Sequence, residues 1–198
     1  SSRIVRRPAR ASQSAAAAPV RPPPTMAMSV RISPSNGGRR SVGRSRYGLI
    51  GRNGAGKTTL IASLPSPIVL SAEGGLLSLS GVELPYLEIN DIDSLREAYS
   101  WLTSSDEAKQ FESVALDSIS EIAEVVLNHE KKATKDPRKA YGEMQDKMAE
   151  IIRAFRDIPD RHVYMSAKCE KSTDESGKIL YAPSMPGNKT GQSLPYFF

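Results

Sequence analysis

From Tyr47 onward, short apolar runs alternate with stretches whose apolar residues recur at helical spacing. The runs predict strands over Tyr47–Ile50, Pro67–Ser71, Pro85–Ile89, Ser113–Asp117 and His162–Ala167. A further strand, Lys178–Tyr181, is expected to pair back with the preceding one across the polar turn at Asp174–Gly177. Because helical segments separate the runs, the pattern predicts an α/β fold with a mainly parallel sheet and helices on both faces.

The helical segments are predicted over Lys57–Leu64, from Ser94 to Leu102, and over Ile119–Lys132. Ser94 and Glu97 form a capping-box pattern, which predicts that the second helix begins there. After a polar turn around Pro137, a long amphipathic helix is predicted from apolar positions at helical spacing: Met144, Met148, Ile151, Ile152, Phe155 and Ile158.

Composition divides the chain near residue 46. Residues 1–46 contain ten Arg, no Lys and no acidic residue, a balance of +10, which leaves 17 basic and 22 acidic side chains, or −5, in residues 47–198. The first segment, rich in Arg, Ser, Ala and Pro, has almost nothing large and apolar to bury, so a disordered tail is predicted. A leader or gene-boundary remnant, an organelle transit peptide and a phosphate-binding arm all remain open for it.

Residues 47–198 form the predicted domain, and we expect it to be incomplete at its C-terminus because the chain ends on Tyr196, Phe197 and Phe198. No run approaches the roughly 18 apolar residues of a membrane helix, which excludes a spanning protein. The lone Cys169 excludes a disulfide-stapled scaffold and favours a reducing compartment, so a cytoplasmic location is expected.

The strongest motif, GRNGAGKT at Gly51–Thr58, is a full match to G-x-x-x-x-G-K-[ST] between a predicted strand and a predicted helix. Its glycines let backbone N–H groups approach phosphate oxygens, Lys57 supplies charge for the β- and γ-phosphates, and the Thr58 hydroxyl binds Mg²⁺. The predicted cofactors are therefore ATP and Mg²⁺. The predicted nucleotide-binding residues are Gly51, Arg52, Asn53, Gly54, Ala55, Gly56, Lys57, Thr58 and Thr59. An ordinary Gly-rich turn before a helix is the alternative.

A carboxylate is predicted as the second metal ligand at Asp117, which ends the most apolar strand. A parallel strand adjacent to the P-loop strand would bring Asp117 beside Thr58, so these two residues are the predicted metal ligands. Alternatively, Asp117 caps the helix that follows, although Ser118 or Ser120 could serve there instead.

The residue after Asp117 is Ser118, so the group that polarises the attacking water is expected elsewhere. Glu73 follows the strand Pro67–Ser71, at the carboxyl end where such sheets bind ligands. The predicted catalytic residues are thus Lys57, Glu73 and Asp117. An exposed loop acid is the alternative interpretation of Glu73.

Residues 51–60, 67–79, 111–122 and 141–171 resemble the RecA-like P-loop ATPases, in particular the phage-type branch of AAA-family or Sak-type single-strand-annealing ATPases. The resemblance implies that Glu73, after the second strand, activates the water. It also implies that the strand carrying Ser166 and Lys168 lies next to the Asp117 strand, which makes these two residues candidate γ-phosphate sensors.

The resemblance further implies an ATP-hydrolysing enzyme of DNA recombination, replication or repair that binds single-stranded DNA. It implies a homo-oligomer in which a basic residue, such as Lys178 or Lys189, reaches the neighbouring site. The acidic balance of residues 47–198 gives DNA binding no support. The protein is not expected to bind membranes.

Other P-loop classes fit less well. An ABC-type ATPase needs an L-S-G-G-Q-like stretch before its Asp, and residues 78–81 match it poorly. A GTPase needs N-K-x-D, and residues 188–191 lack the Asp, whereas a kinase would show clustered arginines. A nucleotide-binding scaffold that does not hydrolyse ATP also remains open.

Overall fold

The computed structural model describes residues 28–31, 44–52, 55–73, 84–173 and 177–197. The strands are β1 (Met28–Arg31), β2 (Arg46–Gly51), β3 (Pro67–Ser71), β4 (Tyr86–Glu88), β5 (Ser113–Asp117), β6 (His162–Thr173) and β7 (Ile179–Pro183). The α-helices are α1 (Lys57–Ile61), α2 (Ile92–Ser104), α3 (Ile119–Ala133), α4 (Pro137–Arg156) and α5 (Asn188–Ser193). Short 3-10 helices cover Glu107–Gln110 and Leu194–Phe197. No helix in these ranges is long and apolar enough to cross a membrane.

The strands form a sheet in the order β1-β2-β6-β5-β3-β4. Strands β2, β6, β5, β3 and β4 run parallel, and β1 pairs antiparallel with β2. Strand β7 pairs antiparallel with the second half of β6, from Cys169 to Thr173. The predicted mainly parallel α/β sheet is confirmed.

Alternate side chains of the central strands pack on opposite faces of the sheet, as the period of a strand requires. The thicker core lies under α2, α3 and α4, and its strand residues include Ile68, Leu70, Val114, Leu116, Val163 and Met165. The opposite face carries a smaller cluster of Leu49, Ile61, Val69, Ala115 and Tyr164, to which α1 contributes Ile61. Helices therefore cover both faces, as predicted.

Two helices begin earlier than the sequence predicts, because the capping residues lie further upstream. Asp91 is the N-cap of α2, and its carboxylate accepts a hydrogen bond from the Ser94 backbone N–H at 2.7 Å. Ser94 is therefore the inner residue of the capping box and not the cap itself. Similarly, α4 begins at Pro137, a residue that the first helical position tolerates, with Asp136 as its cap.

Part of the segment predicted as a tail belongs to the sheet. Met28–Arg31 pairs with β2, and Arg46 is the first residue of β2. The Arg46 guanidinium donates hydrogen bonds to the carbonyl oxygen of Arg156, the last residue of α4, and to those of Ile158 and Arg161, which follow the helix. The sheet therefore starts before the position that hydropathy indicates, and the rest of the predicted tail up to residue 43 lies outside the described residues.

Candidate active site

The P-loop joins the end of β2 to the start of α1 at the carboxyl edge of the sheet. Gly56, the residue before α1, has a φ of 80°, a left-handed conformation that favours glycine. Of the predicted nucleotide-binding residues, Arg52 and Thr59 are exposed and Ala55 is half-buried. Asn53 and Gly54 lie outside the described residues.

Lys57 is held inside its own loop. Its side chain is buried, and its ammonium donates to the carbonyl oxygens of Gly51 at 2.9 Å and Arg52 at 3.0 Å. Burial lowers the pKa of Lys57, while the carboxylates of Asp117 and Glu73 act to raise it. Because both carbonyls belong to a loop of the kind that wraps phosphates, phosphate oxygens can replace them as partners of the ammonium.

Asp117 connects the P-loop to strand β6. The Thr58 hydroxyl donates to Asp117 Oδ2 at 2.6 Å, and the buried Ser166 hydroxyl donates to Asp117 Oδ1. Helix α3 is capped by Ser118, whose hydroxyl oxygen accepts from the Glu121 backbone N–H at 3.4 Å. Asp117 is therefore not the helix cap. One of its carboxylate oxygens faces Thr58 of the P-loop, and the other faces Ser166 of β6.

The expectation that the Asp117 strand lies next to the P-loop strand is wrong, because β6 lies between them. Ile50 of β2 pairs with Ala167 of β6, and Leu116 of β5 pairs with Met165 on the other side. Thr58 still reaches Asp117 because α1 begins over β6. That strand lies next to β5, as the resemblance implies.

Tyr164 of β6 fixes the start of α1. Its hydroxyl donates to the Lys57 carbonyl oxygen at 3.0 Å, and its side chain is 2% exposed. Burial, together with the charge of Asp117, raises the pKa of Tyr164, so the hydroxyl stays protonated and remains a donor at neutral pH. Sequence analysis did not identify this residue, since an isolated tyrosine in an apolar strand resembles core packing.

Glu73 lies at the same edge of the sheet, just beyond β3, where Ser71 is in register with Asp117. Glu73 Oε1 is 3.5 Å from Lys168 Nζ, and its side chain is 45% exposed. Lys168 is in register with Gly51 of the P-loop strand, so this ion pair stands beside the loop. Lys168 also forms an ion pair with Glu121, whose hydrogen bond raises the pKa of Lys168.

A family profile described as an AAA domain matches residues 44–198. The chain belongs to this AAA-domain family. None of the curated proteins compared with it is similar. Among solved structures, the KaiC-like protein PH0186 from the hyperthermophilic archaeon Pyrococcus horikoshii OT3 is similar at 12% identity and a TM-score of 0.34, over 67% of this chain and 74% of that chain. The family and the observed sheet give an AAA-type α/β domain with a mainly parallel sheet, as the sequence predicts.

In the AAA domain, hydrogen bonds link Thr58, Asp117 and Ser166. Lys57 lies close enough for the charges of Asp117 and Glu73 to act on it, and Glu73 pairs with Lys168. Glu121 completes this group, and sequence analysis missed it. Its position after Ser118 fits the S-x-x-E pattern of a capped helix, which conceals any other role. Of the residues proposed to act on a neighbouring subunit, Lys178 is exposed, and the side chain of Lys189 lies outside the described residues.

The side-chain oxygen atoms of Thr58 and Asp117 suit Mg²⁺, which prefers hard oxygen ligands and retains several waters. The Thr58 hydroxyl and the Asp117 carboxylate provide two such atoms 2.6 Å apart. Within the described ranges, no three His, Cys, Asp or Glu side chains are grouped to hold a metal by themselves. Nucleotide oxygens and water molecules would therefore supply the remaining ligands of a metal at this site.

Proposed function

We propose that this AAA domain hydrolyses ATP with Mg²⁺. The observation that carries the proposal is the 2.6 Å contact between Thr58 and Asp117, formed beside the ammonium of Lys57. This contact joins the hydroxyl and the carboxylate, and Lys57 supplies the cation, that P-loop enzymes use around the terminal phosphates.

Each of these side chains has a distinct task. Lys57 exchanges its two carbonyl partners for β- and γ-phosphate oxygens. Thr58 and Asp117 hold magnesium, which when bound neutralises charge on the phosphates. The hydrogen bond from Ser166 fixes the orientation of the Asp117 carboxylate, so that its other oxygen faces Thr58.

Glu73 is the proposed acceptor of the proton from the attacking water. Its partial exposure gives water access to the carboxylate, and the ion pair with Lys168 orients it. The Glu73→Gln variant should bind ATP normally and lose turnover by about 100-fold or more, the range of general-base catalysis. Nucleotide binding and phosphate release, measured on the same preparation, check this.

Glu88 provides a matched control. It is an exposed acid that ends β4, in register with Ser71, at the same edge of the sheet. Glu88→Gln should keep both binding and turnover. If Glu73→Gln lost binding and turnover equally, or kept turnover, Glu73 would not be the base.

A nucleotide-binding scaffold without hydrolysis is the second candidate function. One contact favours it: Lys168 forms an ion pair with Glu73, so this carboxylate already has a cation as its partner. Tight ATP binding by the unaltered protein, without phosphate release, would identify the scaffold. Phosphate transfer to a small molecule would instead indicate a kinase.

The resemblance to phage-type RecA-like ATPases supports a proposed role in cytoplasmic DNA recombination, replication or repair, as a homo-oligomer on single-stranded DNA. ATP hydrolysis should then rise when single-stranded DNA is added, and the rise should shrink at higher salt, because phosphate contacts release counterions. Double-stranded DNA of the same length serves as the control. Hydrolysis that ignores DNA at low salt would contradict this role and leave the ATPase proposal intact.

A further inference from the structure

Lys168 is shared by two acids that arrive from different elements. Its ammonium contacts Glu121, in the first turn of α3, more closely than Glu73, which lies beyond β3 at 3.5 Å. The side chains of Lys168 and Glu121 are 31% and 28% exposed, compared with 45% for Glu73. The cation is thus bound mainly to Glu121, and Glu73 is held loosely.

The backbone of Lys168 is fixed independently of these ion pairs. Its N–H donates to the Ser120 hydroxyl oxygen at 2.9 Å, and its carbonyl oxygen accepts from the Ser184 N–H at 2.7 Å. A change in either acid therefore acts on the lysine side chain and leaves the strand in place. The ammonium contacts both carboxylates from this one fixed strand position.

From this arrangement we propose that Glu121 is a positioning residue, which draws Lys168 away from Glu73 and thereby leaves the Glu73 carboxylate available to accept a proton. The inference rests on the proposed role of Glu73. Without the charge of Glu121, Lys168 would pair with Glu73 alone, and an opposite charge at close range favours the ionised form of an acid. A less basic carboxylate removes the water proton more slowly.

Other charges around the group also influence these acids. Lys57, from the P-loop, experiences Glu73 and Asp117 as well as Lys168 and the thiol of Cys169. These groups remain unchanged when Glu121 alone is substituted. A difference between Glu121→Gln and Glu121→Asp therefore reports the loss of the Glu121 charge beside Lys168, with the other charges of the site held constant.

The first test measures kcat against pH for the full chain and for Glu121→Gln. Relative to the unaltered protein, Glu121→Gln should shift the acidic limb about one pH unit lower and reduce kcat near neutrality by roughly threefold to tenfold. KM for ATP should change little, because Glu121 does not touch the Lys57, Thr58 and Asp117 contacts. Glu121→Asp, which keeps the charge, should have an acidic limb of the kcat profile close to that of the unaltered protein.

Glu124→Gln is the matched control, since Glu124 is an exposed acid on the same helix. It should keep the pH profile of the unaltered protein. An unchanged limb in Glu121→Gln, or an equal shift in Glu124→Gln, would overturn the inference while ATP hydrolysis itself persists. Absence of hydrolysis in the unaltered protein would instead remove the proposed function and the inference together.

The second test needs no nucleotide. In NMR titration of the Lys168 side chain, Glu121→Gln should lower the pKa of Lys168, because the hydrogen bond from Lys168 to Glu121 raises it. Glu124→Gln should leave that titration unchanged. If the pKa of Lys168 is the same in Glu121→Gln and the unaltered protein, the shared ion pair is contradicted. If the pKa of Lys168 changes but the acidic limb of kcat does not, the proposed effect of Glu121 on Glu73 is contradicted. If Glu121→Gln does not fold, Glu121→Asp, with its shorter reach, allows the same comparison in milder form.

Discussion

At each end of strand β2, a cation binds main-chain carbonyl groups, and the two cations differ in their use. Arg46, the first residue of the strand, donates to the carbonyls of Arg156, Arg161 and Ile158. Lys57, the first residue of α1, donates to the carbonyl of Gly51, the last residue of the strand, and to that of Arg52. Burial lowers the pKa of both side chains.

The difference lies in the geometry of the partners. The planar guanidinium of Arg46 engages carbonyls from a distant part of the chain, which ties β2 to the end of α4. The ammonium of Lys57 is a point charge held by its own loop, with the carboxylates of Asp117 and Glu73 nearby. A buried cation therefore stabilises the fold when its partners are fixed, and it can bind a ligand when its partners can be replaced.

The largest expected effect is at Lys57. Lys57→Ala should weaken ATP binding by roughly 100-fold to 1000-fold, because two charge-assisted hydrogen bonds to phosphate are lost. The midpoint of thermal unfolding without nucleotide should stay nearly constant, since the carbonyls it leaves can bind water. Calorimetric titration with ATP and a thermal melt measure both quantities.

Lys109 serves as the control for this variant, because its ammonium pairs with Asp106 at the exposed 3-10 helix, away from the P-loop. Lys109→Ala should alter neither quantity. Strong unfolding of Lys57→Ala without nucleotide would show that Lys57 belongs with Arg46 as a structural cation.

Arg46→Ala should have the opposite profile. Loss of its carbonyl contacts should lower the free energy of unfolding by about 2 to 3 kcal/mol, since the buried acceptors lose a charged donor. The folded fraction should bind ATP with unchanged affinity. Urea unfolding, compared with Arg96→Ala at the exposed pair with Asp93, measures the difference. An unfolding free energy equal to that of Arg96→Ala would contradict the assigned role of Arg46.

Tyr164→Phe should produce a smaller change that touches both properties. Removing the hydroxyl leaves the Lys57 carbonyl oxygen without its donor, which should cost about 1 kcal/mol of stability and a few-fold of ATP affinity. Tyr181→Phe, at a side chain that is 60% exposed, should change neither. A Tyr164→Phe variant with unaltered affinity would separate the position of α1 from nucleotide binding.

The smallest effect concerns acid stability beside Arg46. The hydrogen bond from Arg156 lowers the pKa of Asp157 below its ordinary value of 3.8. Its stabilising contribution is therefore complete above that pH and is lost as the pH falls through the lower folded-state value. Because the pair is largely exposed, Asp157→Asn should flatten the decline below pH 4 by only about 0.5 kcal/mol. Urea unfolding from pH 5 to pH 3 tests this, and a steeper decline in the variant would contradict it.

The residues of the P-loop and Asp117 could be predicted from sequence because short local patterns indicate them: an eight-residue motif and an apolar strand that ends on an acid. The order of the strands could not, since no local pattern indicates that β6 enters between β2 and β5. Composition places Arg46 in the tail, and no local pattern corrects this, since its partners are main-chain carbonyls of residues far along the chain. The roles proposed for Glu73, Ser166 and Lys168 remain predictions, although their side chains lie at the predicted edge.

Strand β6 carries Tyr164, Ser166 and Lys168 at alternate positions, so all three project from the same face. They contact, in order, the start of α1, the Asp117 carboxylate and the two glutamates. A slip of β6 by a single residue would turn the whole row towards the opposite face at once. Mispairing of this strand would thus remove its contacts with α1, Asp117 and the two glutamates in one step.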